Sequence, residues 1–262
     1  MNNRLTRQHV FLSEVVKLLT LRSVRVAILT TVALCVGMAA LTAPSIGDAM
    51  ALNDPGLAPG TTPETVGLEW VGLGLIGVSI VGVIAGSSEY TGHQLKTSLI
   101  SVPSRTRITV TKSLALLAVT VTMAVVAIPA LSLLSQLGLG ELGVLQEGVP
   151  ASLIWRWLGG LLVWGATAQI GFALGVLLRQ AILPLFLMIV ISQLTLPLVH
   201  LVPFAQYLPF AAGTLLYDPG MITGSTPNAY LPPLIAGALV LGWTGLLVGV
   251  ALIRFQKRDV QA

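Results

Sequence analysis

Six long apolar runs dominate the chain, at residues 26–44, 70–86, 113–135, 157–178, 181–203 and 231–253, and none contains Asp, Glu, Lys or Arg. A helix rising 1.5 Å per residue needs about 20 apolar residues to cross a hydrocarbon core of about 30 Å. The runs are continuous rather than alternating, so they read as helices and not as strands of a barrel. The pattern predicts an all-α integral membrane protein. A six-helix transmembrane domain fills 26–253, a cytoplasmic N-terminus occupies 1–25, and a cytoplasmic tail occupies 254–262.

Two weaker patterns sit beside the spans. Residues 11–22 have a helical period, with Phe11, Val15, Leu18 and Leu19 on one face and Ser13, Glu14, Lys17 and Thr20 on another. A basic amphipathic helix just before a span is expected in the membrane interface, or packed on the bundle. Residues 204–217 are apolar without charge up to Tyr217 and continue past Pro203 and Pro209. Two readings stay open for this stretch. It re-enters the outer leaflet as short helices shielded by protein, or it lies as a loop in the interface. Residues 45–66, rich in Pro, Gly, Thr and Asp, read as an exposed outer loop, and 136–152 as a shorter acidic one.

Charge gives the runs a direction. Hydrophobic residues make up 55% of the 262 positions and charged residues only 9%, against roughly 25% in a soluble domain. Of the 14 Lys and Arg, all but Arg156 fall before the first span, between spans two and three, between four and five, or after the sixth. Asp48, Asp54, Glu64, Glu69, Glu141, Glu147 and Asp218 fall on the other side. By the positive-inside rule both termini are cytoplasmic, and only an even number of spans fits. The first run resembles a signal sequence, but about 25 residues precede it and Pro44 follows the only plausible cut, so it reads as a retained span. The net charge of +4 is spread between spans and does not point to nucleic acid.

Candidate chemistry is sparse. Cys35 is the only cysteine, and His9, His93 and His200 stand apart, so metal chemistry is not expected. No Gly-Lys dipeptide exists, so the chain has no phosphate-cradling P-loop and no ATPase site of its own. Glu69 and Arg156 sit at the outer ends of spans two and four, either as an ion pair or each reaching separately to the interface. Gln169, Gln193 and His200 are the polar candidates for a pathway, with an interfacial role the plainer reading of His200. Gly82/Gly86, Gly171/Gly175 and Gly245/Gly249 have the spacing of close helix contacts and read as packing. Residues 87–112 form the largest internal cytoplasmic loop. Ser87 or Ser88 can cap a short helix, Glu89 suits its first turn, and Tyr90, Leu95 and Leu99 make a small apolar face before Pro103. Such a loop is a simple hairpin connector or a docking element.

Here the chain resembles the membrane subunit of ABC transporters of the ABC-2-type export class. The resemblance is carried by Ser88-Glu89-Tyr90, then Leu95, Thr97, Leu99, Pro103, Arg105 and Arg107, with Lys112 leading into a span. Glu14, Lys17, Arg22 and Ser23 resemble the family's N-terminal elbow helix, which includes Phe11 and Val15. Residues 171–175 with Leu178-Arg179, and Tyr207-Leu208-Pro209, resemble its fourth-span ending and its outer segment. Ser104 and Thr106 interrupt the basic run usual after the proline. The resemblance covers nearly the whole chain through the order and spacing of degenerate motifs. It implies a permease subunit in a bacterial plasma membrane, paired with a second such subunit as a homodimer or heterodimer. A separate ATPase subunit would hold ATP and Mg and receive the 90–99 coupling helix. The competing classes are a secondary transporter or channel, and a non-transporting immunity or scaffold subunit.

Overall fold

The computed structural model describes residues 7–88, 105–146, 148–226 and 231–258. The elements are α1 (Arg7–Thr20), α2 (Arg22–Ala51), α3 (Trp70–Ser87), α4 (Arg105–Leu139), α5 (Ala151–Leu178), α6 (Ile182–Leu201), α7 (Pro209–Tyr217), α8 (Gly220–Thr223) and α9 (Pro233–Arg258), with 3-10 turns at Gly140–Leu142 and Pro203–Tyr207. No strand occurs among the described residues. Six helices, α2 to α6 and α9, are long and apolar enough to cross a membrane. The chain is an all-α, multi-pass membrane protein.

Cross-helix contacts give the directions. Thr31 meets Gly77, and Thr42 meets Trp70, so α2 and α3 run antiparallel. Val71 is bonded by Trp164 and Gly86 abuts Phe172, so α3 and α5 run parallel. Along that seam Gly82 and Gly86 touch the carbonyls of Ala168 and Phe172, while Gly175 would place a Cβ 2.8 Å from the Val83 oxygen. Four glycines, including Gly171, thus let two backbones meet where any side chain would force them apart. Trp164, Phe172, Leu116 and Ile128 fill the core around this seam and are nearly or fully buried. The rim is the reverse: Leu29, Leu41, Ile182 and Leu234 are 69 to 88% exposed. Such a surface suits lipid, not water.

Helices α2, α4 and α5 overrun their predicted spans, whereas α6 ends two residues short of its own. Pro44 lies inside α2, which continues to Ala51. Proline removes one backbone donor. The helix persists because Ile46 and Met50 pack on Ala43, Val66 and Leu139. The 45–66 stretch is therefore helical in its first third. The rest is not simply exposed, since Thr65 to Leu68 are buried. Gln136, near the end of α4, clamps both loops at this end: its Nε2 donates to the Pro63 carbonyl at 2.7 Å, and its Oε1 accepts from Val144 N–H at 2.9 Å. At the opposite end α4 already begins at Arg105, so Arg105, Arg107 and Lys112 belong to a helix rather than a loop. Likewise α5 begins at Ala151 and carries Arg156 inside its second turn.

From Pro209 onward the 204–217 stretch is not a surface loop, whereas Phe204 and Tyr207 before it are exposed. Leu208 is extended, Pro209 starts α7, and Phe210 to Leu215 together with Tyr217 are buried. Gly159 on α5 would set a Cβ 2.5 Å from the Leu216 oxygen, and Gly213 rests on Val163. Phe210 and Tyr217 join the main core, while Ala211, Ala212 and Leu215 pack with Ala166, Val199 and Val240 of α5, α6 and α9. Neighbouring helices thus shield the α7 backbone, which is what a non-spanning helix beside lipid requires.

Candidate functional site

The end of the bundle that carries residues 52–69 holds a polar cluster. A turn closes at Thr62 to Thr65, where Thr65 Oγ1 accepts from Thr62 N–H at 3.0 Å. Glu64 in this turn faces α5. Its Oε1 accepts from Ser152 Oγ at 2.9 Å, and its Oε2 lies 3.4 Å from Arg156 Nε. Arg156 also reaches the Tyr217 carbonyl at 3.5 Å. The arginine's ion pair is therefore made with Glu64, and of the two arrangements left open for Glu69 and Arg156 the direct pair is not formed. The carboxylate five residues earlier wins because the turn swings it onto the α5 face. The sequence pointed only to Glu69, because Glu64 reaches Arg156 through a tertiary turn that local spacing does not show.

Glu69 goes elsewhere. It precedes α3 and, with Asp218, lines a cavity of about 310 Å³ under residues 56–61. Its Oε1 is buried and accepts no hydrogen bond. Burial raises its pKa from the ordinary 4.5 to about 7, and the neighbouring Asp218 adds to the rise. Asp218, at the end of α7, rises from 3.8 to about 6, again through burial. Arg156 and the backbone N–H groups of Met221 and Gly220 oppose that rise. Two acids that titrate near neutrality thus share one pocket. Its cover is close-fitting: Gly60, at φ +84°, would place a Cβ 2.6 Å from the Gly220 oxygen, and Gly224 abuts the Pro59 carbonyl. The pocket can take up or release a proton. It shows no nucleophile beside a base.

The opposite end carries α1 and the start of α2. Val10, Glu14 and Leu18 are buried, Phe11 and Val15 half-buried, and Leu12, Val16 and Leu19 exposed. Glu14 does not lie on a solvated face as its period suggested. The 10–14–18 stripe turns inward, and Lys17 Nζ covers the carboxylate at 2.5 Å. The helix rotates this way because its remaining apolar positions then face lipid. Nearby, Lys112 Nζ donates to Ser88 Oγ at 3.0 Å and ties the end of α3 to α4. The coupling candidates Glu89, Tyr90, Leu95 and Leu99 lie outside the described residues.

The three pathway candidates are not brought together. Gln169 is committed to α4: its Oε1 accepts from Ser113 Oγ at 2.6 Å and its Nε2 donates to the Ser113 carbonyl at 2.8 Å. Gln193 is exposed on the α6 surface. His200 is exposed in the last turn of α6, where Nδ1 lies 2.9 Å from Thr226 Oγ1. No group of three metal-ligating side chains occurs among the described residues. No protein-family model and no curated protein matches the chain.

Proposed function

We propose that this chain is the permease subunit of an ATP-driven exporter of the ABC-2 type, forming a translocation pathway with a second permease subunit and driven by a separate ATPase. One observation carries the reading: the order of elements. A short amphipathic helix precedes the first span, six spans follow, and a shielded helix sits just ahead of the last. That order is the one the motif resemblance implies. The charge-free runs at the centres of the six spans also hold no carboxylate from which an ion relay could be built. Energy then has to enter from outside the bilayer, and residues 89–104, joining α3 to α4, are the proposed contact. ATP and Mg belong to the partner. The membrane is a bacterial plasma membrane, with both termini on the cytoplasmic side.

The test is a reconstituted complex in which Glu89→Ala or Tyr90→Ala is introduced and transport-linked ATP hydrolysis is measured. A residue at the centre of a docking interface is worth about 2 kcal/mol, so either change is expected to weaken ATPase association at least tenfold. Unaltered coupling in both variants, or no ATPase co-purifying with the wild-type chain, rejects the proposal. The titratable pair Glu69 and Asp218 favours a second reading, a proton-coupled transporter. That reading requires transport to follow a pH gradient without ATP.

A further inference from the structure

We infer that the groove between α1, α2 and α4 is a binding site for one anionic phospholipid, its acyl chain in the groove and its headgroup on Arg22 and Arg25. The cavity there measures about 510 Å³. Its walls include Val15 and Leu19 of α1, Leu29 and Val32 of α2, and Thr122 and Met123 of α4. The wall of α4 extends from Ala118 to Val126, a rise of about 12 Å at 1.5 Å per residue. Half of a hydrocarbon core of about 30 Å is roughly 15 Å, so the groove matches the depth of a single leaflet.

The occupant is set by charge. Arg25, Leu29 and Val32 fall on one face of α2 at helical spacing. Following that face toward the helix start, the first residue beyond the groove's lining is exposed Arg25, with exposed Arg22 three residues further back. The only acid described at this end is Glu14, which is buried, is covered by Lys17 and does not line the groove. An apolar slot of one leaflet's depth that opens onto two arginines fits an acyl chain below a phosphate-bearing headgroup. A zwitterionic lipid could fill the slot but gains less from the arginines.

Leu29 is 69% exposed and lines the groove, so Leu29→Trp provides a reporter without disturbing the core. The full-length variant is placed in micelles doped with acyl-brominated phosphatidylglycerol or phosphatidylcholine, and quenching of the new tryptophan is read against the wild-type background. Phosphatidylglycerol is expected to quench at lower concentration, by about fivefold for each arginine engaged. Arg25→Gln and Arg22→Gln, both at exposed positions, should each remove about that factor while leaving phosphatidylcholine quenching unchanged. Equal quenching by the two lipids overturns the inference. So does a phosphatidylglycerol preference that survives both substitutions. Quenching that is absent in a dimeric sample and appears on dilution to monomer would also overturn it, because a second copy would then fill the groove.

Discussion

At the scale of single residues, the Glu69–Asp218 pocket determines how this end of the bundle responds to pH. Both carboxyls have pKa values raised by burial, to about 7 and about 6. The folded pocket therefore binds protons that the unfolded chain has already released. Its contribution to stability is complete below about pH 4 and declines as pH rises through 6 and 7. That is the opposite sense to an ordinary salt-bridged acid. Amide exchange over residues 52–69 should therefore quicken between pH 5 and pH 8 beyond the intrinsic rate. Glu69→Gln, which stays neutral and keeps the shape, should flatten that rise, by up to about one proton's worth of slope. A rise as steep in the variant as in the wild type would show that Glu69 does not control the loop.

At the scale of elements, the glycine pairs separate packing from surface. On α3, a Cβ at Gly82 meets the Ala168 carbonyl and one at Gly86 meets that of Phe172. On α9, Gly245 and Gly249 have nothing within 4 Å. Gly82→Ala should cost about 1–3 kcal/mol by overpacking, whereas Gly245→Ala should be neutral or gain up to about 1 kcal/mol from helix propensity. Thermal unfolding in one detergent compares them directly, and equal melting temperatures would contradict the α3–α5 seam. All three Gly-x-x-x-Gly spacings looked alike in the sequence, and all were read as packing. The distinction comes from which helix lies alongside, a fact that local spacing does not encode. The spans themselves were legible because hydrocarbon admits only long, charge-free runs. Their ends were not, because Pro44 and Arg156 look like stops until Ile46, Met50 and Glu64 hold the extra turns in place. The inward turn of Glu14 was hidden for the same reason: a period of 3.6 identifies faces, and tertiary contacts choose which one is buried. Glu64 and Asp218 stayed unremarked as site residues because their positions depend on a loop folding back over the bundle end.

At the scale of the whole molecule, charge and fold make one joint statement that can be tested. Even with six crossings in alternating directions, the fold alone is compatible with either orientation in a bilayer. The charges are not symmetric: 13 of the 14 basic residues fall on the side of the two termini, and seven acids fall on the other. Basic residues near span ends resist translocation, and a bias of this size predicts the termini and residues 89–104 in the cytoplasm and residues 52–69 outside. Cysteine labelling can read this out, because Cys35 is fully buried and the only cysteine present. Alanine is the better replacement for it, since a serine hydroxyl there would need a partner within a core of α2, α3 and α4. In a Cys35→Ala background, Ala58→Cys should react with an impermeant maleimide in intact cells. Ser98→Cys should react only after the membrane is opened. The reverse pattern would place residues 89–104 outside, where no cytoplasmic ATPase could reach them. It would thus remove the orientation and the proposed energy coupling together, while the lipid groove on α1, α2 and α4 would move to the opposite leaflet unchanged.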